Sequence, residues 1–113
     1  MAGITSKLAG PVALATGTYV TNIFNEASAL LFSVVTHIRV LNTTSGILTF
    51  RLFKGATGAN AAGTNFSPLD FQVLPNAAID WYMGNRFEST DFLVGGASGA
   101  GLVIIVEGNK QVK

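Results

Sequence analysis

The chain has one histidine, His37, and six acidic residues, and any acid–base chemistry would have to be assembled from these. A histidine works as a general base only with a nucleophile or carboxylate poised beside it. Its same-face neighbours on an extended strand, Val35 and Arg39, supply neither, so His37 reads as structural. Asp70, Asp80 and Asp91 each fall in or beside an extended segment. Two of them brought together would make a carboxylate pair of the glycosidase kind. Their spacing gives no reason for that, and each reads equally well as a turn or solvent-side residue. The absence of cysteine excludes disulfides, thiolate ligands and thiol nucleophiles. With a lone histidine and no calcium-loop spacing, no metal site is expected either. The glycine-rich pieces at 55–58 and 95–99 do not open helices, as phosphate loops must, and read as strand connectors. Trp81 and Tyr82 are adjacent, so on a strand they point to opposite sides and cannot form one sugar-stacking platform. The sequence therefore leads to a non-enzyme with no catalytic residue, no cofactor and no metal.

The elements that position these residues are strands. No segment keeps apolar residues at i, i+3, i+4 and i+7 between helix caps. Short apolar or β-branched runs recur instead, closed by Gly, Asn, Ser or Thr. Strands are expected over 10–15, 18–24, 30–41, 47–54, 69–74, 77–83, 91–94 and 102–107. About eight short strands in this length predict an all-β fold, an antiparallel two-sheet sandwich or jelly roll. One domain would span residues 1–113, with a short N-terminal segment (1–9) and a polar C-terminal tail (108–113). The stretch from Lys7 through Ala15 loosely imitates a signal peptide, but its central Pro11 favours an opening strand. Residues 55–67 form a long loop, and 95–101 a flexible turn.

Asn42-Thr43-Thr44-Ser45-Gly46 reads as a hairpin loop joining the third and fourth strands, with Gly46 available for a positive φ. Alternation then puts Val34, Ile38 and Val40 on a core face, matched across the hairpin by Leu48, Phe50 and Leu52. Ile79, Trp81 and Met83 share a core face of their own strand. The side opposite the hairpin core carries Val35, His37, Arg39 and Leu41, then Ile47, Thr49, Arg51 and Phe53. Half of these are apolar, and the mixture with arginine has the composition of an interface. Val35, His37, Arg39, Leu41, Ile47, Arg51 and Phe53 are therefore the candidate protein-contact residues. Their arginines are expected to find carboxylate or carbonyl partners on another subunit. On this reading Phe53→Asp leaves the fold intact and Phe50→Asp destroys it.

Composition points the same way. Hydrophobic residues make up 49% of the chain and charged ones only 12%, about half the usual charged share. So few charges leave part of the outer surface apolar, which marks contact with a partner and an oligomer or assembly subunit. A net charge of +1, with basic residues scattered rather than clustered, argues against nucleic-acid binding. No run approaches the ~20 apolar residues of a membrane span.

Val35-Thr36-His37-Ile38-Arg39-Val40-Leu41-Asn42-Thr43-Thr44, followed by Leu48-Thr49-Phe50-Arg51-Leu52-Phe53, carries a family resemblance. So does the later order Leu74-Pro75-Asn76, Asp80-Trp81, Asp91-Phe92-Leu93 and the final apolar strand. Across roughly residues 16–107 the chain resembles small virion structural proteins of tailed bacteriophages, in particular capsid decoration (cement) proteins with a β-sandwich fold. The resemblance implies a sandwich that docks on the outside of a phage head, often as a dimer or trimer, and braces neighbouring capsid subunits. The implied partners are the major capsid protein and further copies of this chain. The implied location is the capsid surface, with the host cytoplasm during assembly. The other reading is a tail or fibre subunit, or a glycan-binding adhesin module.

Overall fold

Alternating apolar residues between turn-forming clusters fold into strands in all eight expected places. The computed structural model describes residues 6–58, 60 and 63–113. The strands are β1 (Ser6–Ala13), β2 (Thr21–Asn25), β3 (Leu31–Asn42), β4 (Leu48–Gly55), β5 (Phe71–Val73), β6 (Ala78–Phe87), β7 (Phe92–Ala97) and β8 (Leu102–Val112). They make two four-stranded antiparallel sheets, β1-β8-β3-β6 and β2-β7-β4-β5. Each strand of the first half pairs with one of the second: β1 with β8, β2 with β7, β3 with β6, β4 with β5. The chain is thus one long hairpin rolled into a sandwich, the jelly-roll order.

The inner faces close over Val35, Ile38, Val40, Phe50, Leu52, Phe87, Leu93, Leu102, Ile104 and Val106, all buried. Trp81 fills the space between the sheets against Phe50 and Phe71, at ring separations of 5.6 and 5.0 Å. Ile79, Trp81 and Met83 pack on the core as expected from their alternation. At one end Lys54 closes the core, its ammonium over the Phe87 ring and bonded to Asn85 Oδ1 at 2.8 Å. Near the start of β3 the carboxylate of Glu26, 3% exposed, accepts from Ser33 Oγ at 2.8 Å and lies 3.5 Å from Lys110 Nζ. Burial pushes its carboxyl up, but these partners and the Ser28 amide outweigh it and hold the group below the ordinary value. Among the described residues no buried side-chain nitrogen or oxygen lacks a partner.

Several expectations are corrected. The third and fourth strands do not form a hairpin: β3 pairs with β6 and β8, while β4 pairs with β5 and β7 in the other sheet. Residues 43–47 cross between the sheets, and Gly46 is not among the glycines with positive φ. Asn42 makes this corner instead, through its own side chain. Residues 108–112 continue β8 and are not a tail, and residues 6–9 already belong to β1. Gly95 and Gly96 lie within β7, where Gly96 has a specific use. A β-carbon there would collide with the Thr18 and Ala15 carbonyl oxygens, because the segment between β1 and β2 arches over that point of the sheet.

Candidate interaction surface

The seven candidate contact residues do not share a face. Because β3 and β4 lie in different sheets, their outward side chains sit on opposite sides of the sandwich. Val35 is in the core at 0% exposure. The register shifts between Val35 and His37 in the pairing of β3 with both β6 and β8. Against β8 the extra residue is Thr36, and against β6 it lies on β6 at Met83 and Gly84; the alternation along β3 reverses there, so Val35 points inward and His37 outward. Ile47 stands exposed in the crossover before β4.

Phe53 does point away from the core, yet it is 3% exposed. Asn22, Val94, Phe53 and Asn65 form one row across the outer face of the β2-β7-β4-β5 sheet. The turn after β4 folds back to that row. Asn22 Nδ2 donates to Thr57 Oγ1 at 2.7 Å, and the Gly58 amide donates to Asn22 Oδ1 at 2.8 Å. One rung away, Arg51 makes a two-pronged pair with Asp70 at 2.8 and 3.0 Å and stacks on Tyr19 of the arch, 4.5 Å from the ring centre. Asp70 is held below the usual carboxylate range by that guanidinium. Arg51 therefore finds its acid within the chain, not on another subunit. The outer face of this sheet is largely occupied by its own loops.

The other sheet leaves its outer face open. Three rungs lie across it. Ala13, Val103, Leu41 and Ala78 make the first; Ile105, Arg39 and Asp80 the second; Lys7, Glu107, His37 and Tyr82 the third. The surface thus grades from aliphatic to charged over a short distance. His37 is the centre of the charged end. Its Nδ1 lies 2.6 Å from Glu107 Oε1 and its Nε2 2.7 Å from Asp80 Oδ1, with Arg39 Nη1 3.9 Å from the same Asp80 oxygen. Tyr82, 80% exposed, stacks flat on the imidazole at 4.7 Å. Trp81 turns inward, as adjacency on a strand requires.

A carboxylate on each ring nitrogen favours imidazolium, which donates to both. The Glu107 bond is the largest cause; desolvation opposes it, Asp80 adds to it, and the net effect holds the His37 pKa above its ordinary value. Below that raised value the ring is imidazolium and has no lone pair with which to accept a proton. The three aspartates meanwhile have separate tasks: Asp70 on Arg51, Asp80 on His37, and Asp91 accepting from the Glu88 amide.

A pH dependence follows. A basic group whose pKa is raised on folding adds stability that is complete below the unfolded value of about 6.5 and is lost as pH rises through the folded one. The single histidine gives an unambiguous proton NMR titration. Its midpoint should lie above the ordinary value and fall back in Glu107→Gln, more than in Asp80→Asn. A wild-type midpoint at or below the ordinary value would contradict the bridged geometry.

Sequence reasoning placed His37, Arg39 and Leu41 correctly on an outer face and missed Asp80, Glu107, Tyr82, Val103 and Ile105 beside them. Only strand order brings these together, since β6 and β8 flank β3 from distant parts of the chain. No family model matches the sequence, and no curated protein is similar to it at a significant level.

Proposed function

We propose that this protein is a structural binding module, a capsid decoration (cement) protein that docks on the outer surface of a phage head and braces contacts between capsid subunits. The supporting observation is the open face of the β1-β8-β3-β6 sheet. There an aliphatic patch of Leu41, Val103 and Ile105 adjoins the charged cluster of His37, Arg39, Asp80 and Glu107. A face of this kind supplies apolar contact area and fixed charges for register on a partner protein. The jelly roll itself is shared by viral capsid, lectin and cupin domains, so the fold alone does not choose among them. The sequence resemblance selects the phage head, and many copies on a shell would turn a modest contact into a firm hold.

A second reading has its own observation. Tyr82 is exposed, flat against His37 and flanked by carboxylates, an arrangement suited to stacking a sugar ring in an adhesin module or fibre subunit. Electron microscopy of purified particles labelled against this chain separates the readings. Labelling over the whole head supports decoration, labelling at a single vertex a tail role, and unlabelled particles defeat both. Leu41→Lys should abolish attachment while changing stability by only about 0.5 kcal/mol, the scale of surface substitutions. Full attachment of a folded Leu41→Lys protein would exclude this face.

A further inference from the structure

We propose that β6 pairs antiparallel with β6 of a second copy, about a two-fold axis through Met83, so that two open sheets become one continuous sheet. The inference rests on the four strand edges of the sandwich and holds whatever particle the protein attaches to.

An exposed edge offers unpaired backbone groups to any strand that fits, and proteins usually blunt it. Three edges here are blunted. β1 carries Pro11 and two register shifts against β8. β2 is five residues long with a shift of its own, and β5 has only three residues. The β6 edge is different. It runs ten residues with no proline and no lysine, and its exposed and half-buried side chains alternate from Ile79 to Arg86, although its register against β3 shifts by one residue at Met83 and Gly84. Beside it lies an open groove whose apolar lining is Phe66, Pro68, Trp81 and Met83.

The sequence of β6 is complementary to itself in one register. With Met83 opposite Met83 of the second copy, Asp80 faces Arg86, Tyr82 faces Gly84, and Trp81 faces Asn85. The acid and base of that pair both have capacity to spare. His37 and Arg39 both approach Oδ1 of Asp80, leaving Oδ2 for a further donor. Glu88 takes Nε of Arg86, leaving its terminal amino groups. Gly84 has open space where a side chain would stand, room for the exposed Tyr82 ring to lie across it, a favourable cross-strand match. Moving the axis to Tyr82 puts Asp80 opposite Gly84. Moving it to Gly84 puts Asp80 against Glu88, like charge on like. Like charges directly opposite destabilise a pairing, so the Met83 register is the one selected. It also gives the closed, self-matching contact of a two-fold dimer and lays the groove linings of the two copies side by side.

Sedimentation of the full chain should show a dimer. Met83→Cys, the only cysteine in that variant, should cross-link it on mild oxidation, whereas Trp81→Cys should not. Asp80→Arg and Arg86→Asp should each weaken association by about tenfold, since each makes two repulsive pairs in a symmetric contact. The double exchange should restore it, with circular dichroism confirming that every variant is folded. A protein that stays monomeric up to the limit of its solubility overturns the proposal. So does a dimer that Met83→Cys fails to cross-link, or one that the double exchange does not restore.

Discussion

Phe53→Asp is expected to unfold the domain. The side chain points away from the inter-sheet core, but Val94 lies beside it and the turn held by Asn22 closes the row. Phe53 is 3% exposed, so a carboxylate there would be buried, and the guanidinium one rung away, Arg51, is already paired with Asp70. Leaving one uncompensated charge inside a protein costs about 3–5 kcal/mol, and the lost aromatic packing adds to it. A domain of this size has a net stability of roughly 5–15 kcal/mol, so the variant should be largely unfolded or close to it. Phe53→Leu keeps an apolar side chain in the space and should cost about 1–2 kcal/mol. Urea denaturation followed by circular dichroism checks both. If Phe53→Asp melts like the wild type, the loops do not cover this face, and the outer side of the β2-β7-β4-β5 sheet becomes an available contact surface after all.

The same residue shows where strand patterns stop being informative. Alternation along 47–53 correctly placed Phe50 and Leu52 inward and Phe53 outward. An outward side chain is exposed only when nothing crosses the sheet. The crossing is written in residues distant in sequence: Gly96, whose missing β-carbon admits the Thr18 carbonyl, and Asn22, which reaches Thr57 and Gly58. Neither has meaning before strand order is known. The eight strands themselves were legible because each is a short apolar run bounded by turn-formers, a local signal. Strand partners were not, because a polar five-residue connection suits a hairpin and a sheet-to-sheet corner equally well. Val35 escapes the pattern for a third reason: a one-residue register shift at Thr36 reverses the alternation along β3, and no residue type marks it. The charged cluster divides along the same line. His37 and Arg39 were found because they share a strand, while Asp80 and Glu107 were missed as their companions because they arrive from β6 and β8.

Asn42→Asp should be the most damaging exchange of nearly equal size in the chain. Asn42 ends β3 and is completely buried. Its amide nitrogen donates to the Gly46 carbonyl at 2.8 Å and to the Val73 carbonyl at 3.0 Å. Its amide oxygen accepts from the Thr44 amide at 2.9 Å and from the Thr44 hydroxyl at 2.7 Å. All four hydrogen-bonding positions of the side chain are filled, which is why this corner can pass between the sheets without a left-handed glycine. The bond to Val73, on β5, also ties one sheet to the other. Aspartate keeps the oxygen that Thr44 needs but loses both donors, and it sets a negative charge against two carbonyl oxygens. A buried charge without compensation costs about 3–5 kcal/mol. Asn42→Ala, which removes the side chain and strands its partners, should cost about 2–3 kcal/mol. The two variants differ in a way a packing defect cannot imitate. The aspartate will be driven toward its neutral form, in which the carboxyl regains one donor, so its folded pKa is raised above the unfolded value. For such an acid, stability falls as pH rises through the unfolded pKa and returns on acidification. Relative to wild type at each pH, Asn42→Asp should therefore recover part of its loss as pH falls through the raised folded pKa toward the ordinary carboxylate value, while Asn42→Ala stays flat. Denaturation midpoints of the three proteins across that range test it. A parallel course for both variants would mean that the Asn42 nitrogen does not hold the two sheets at this corner.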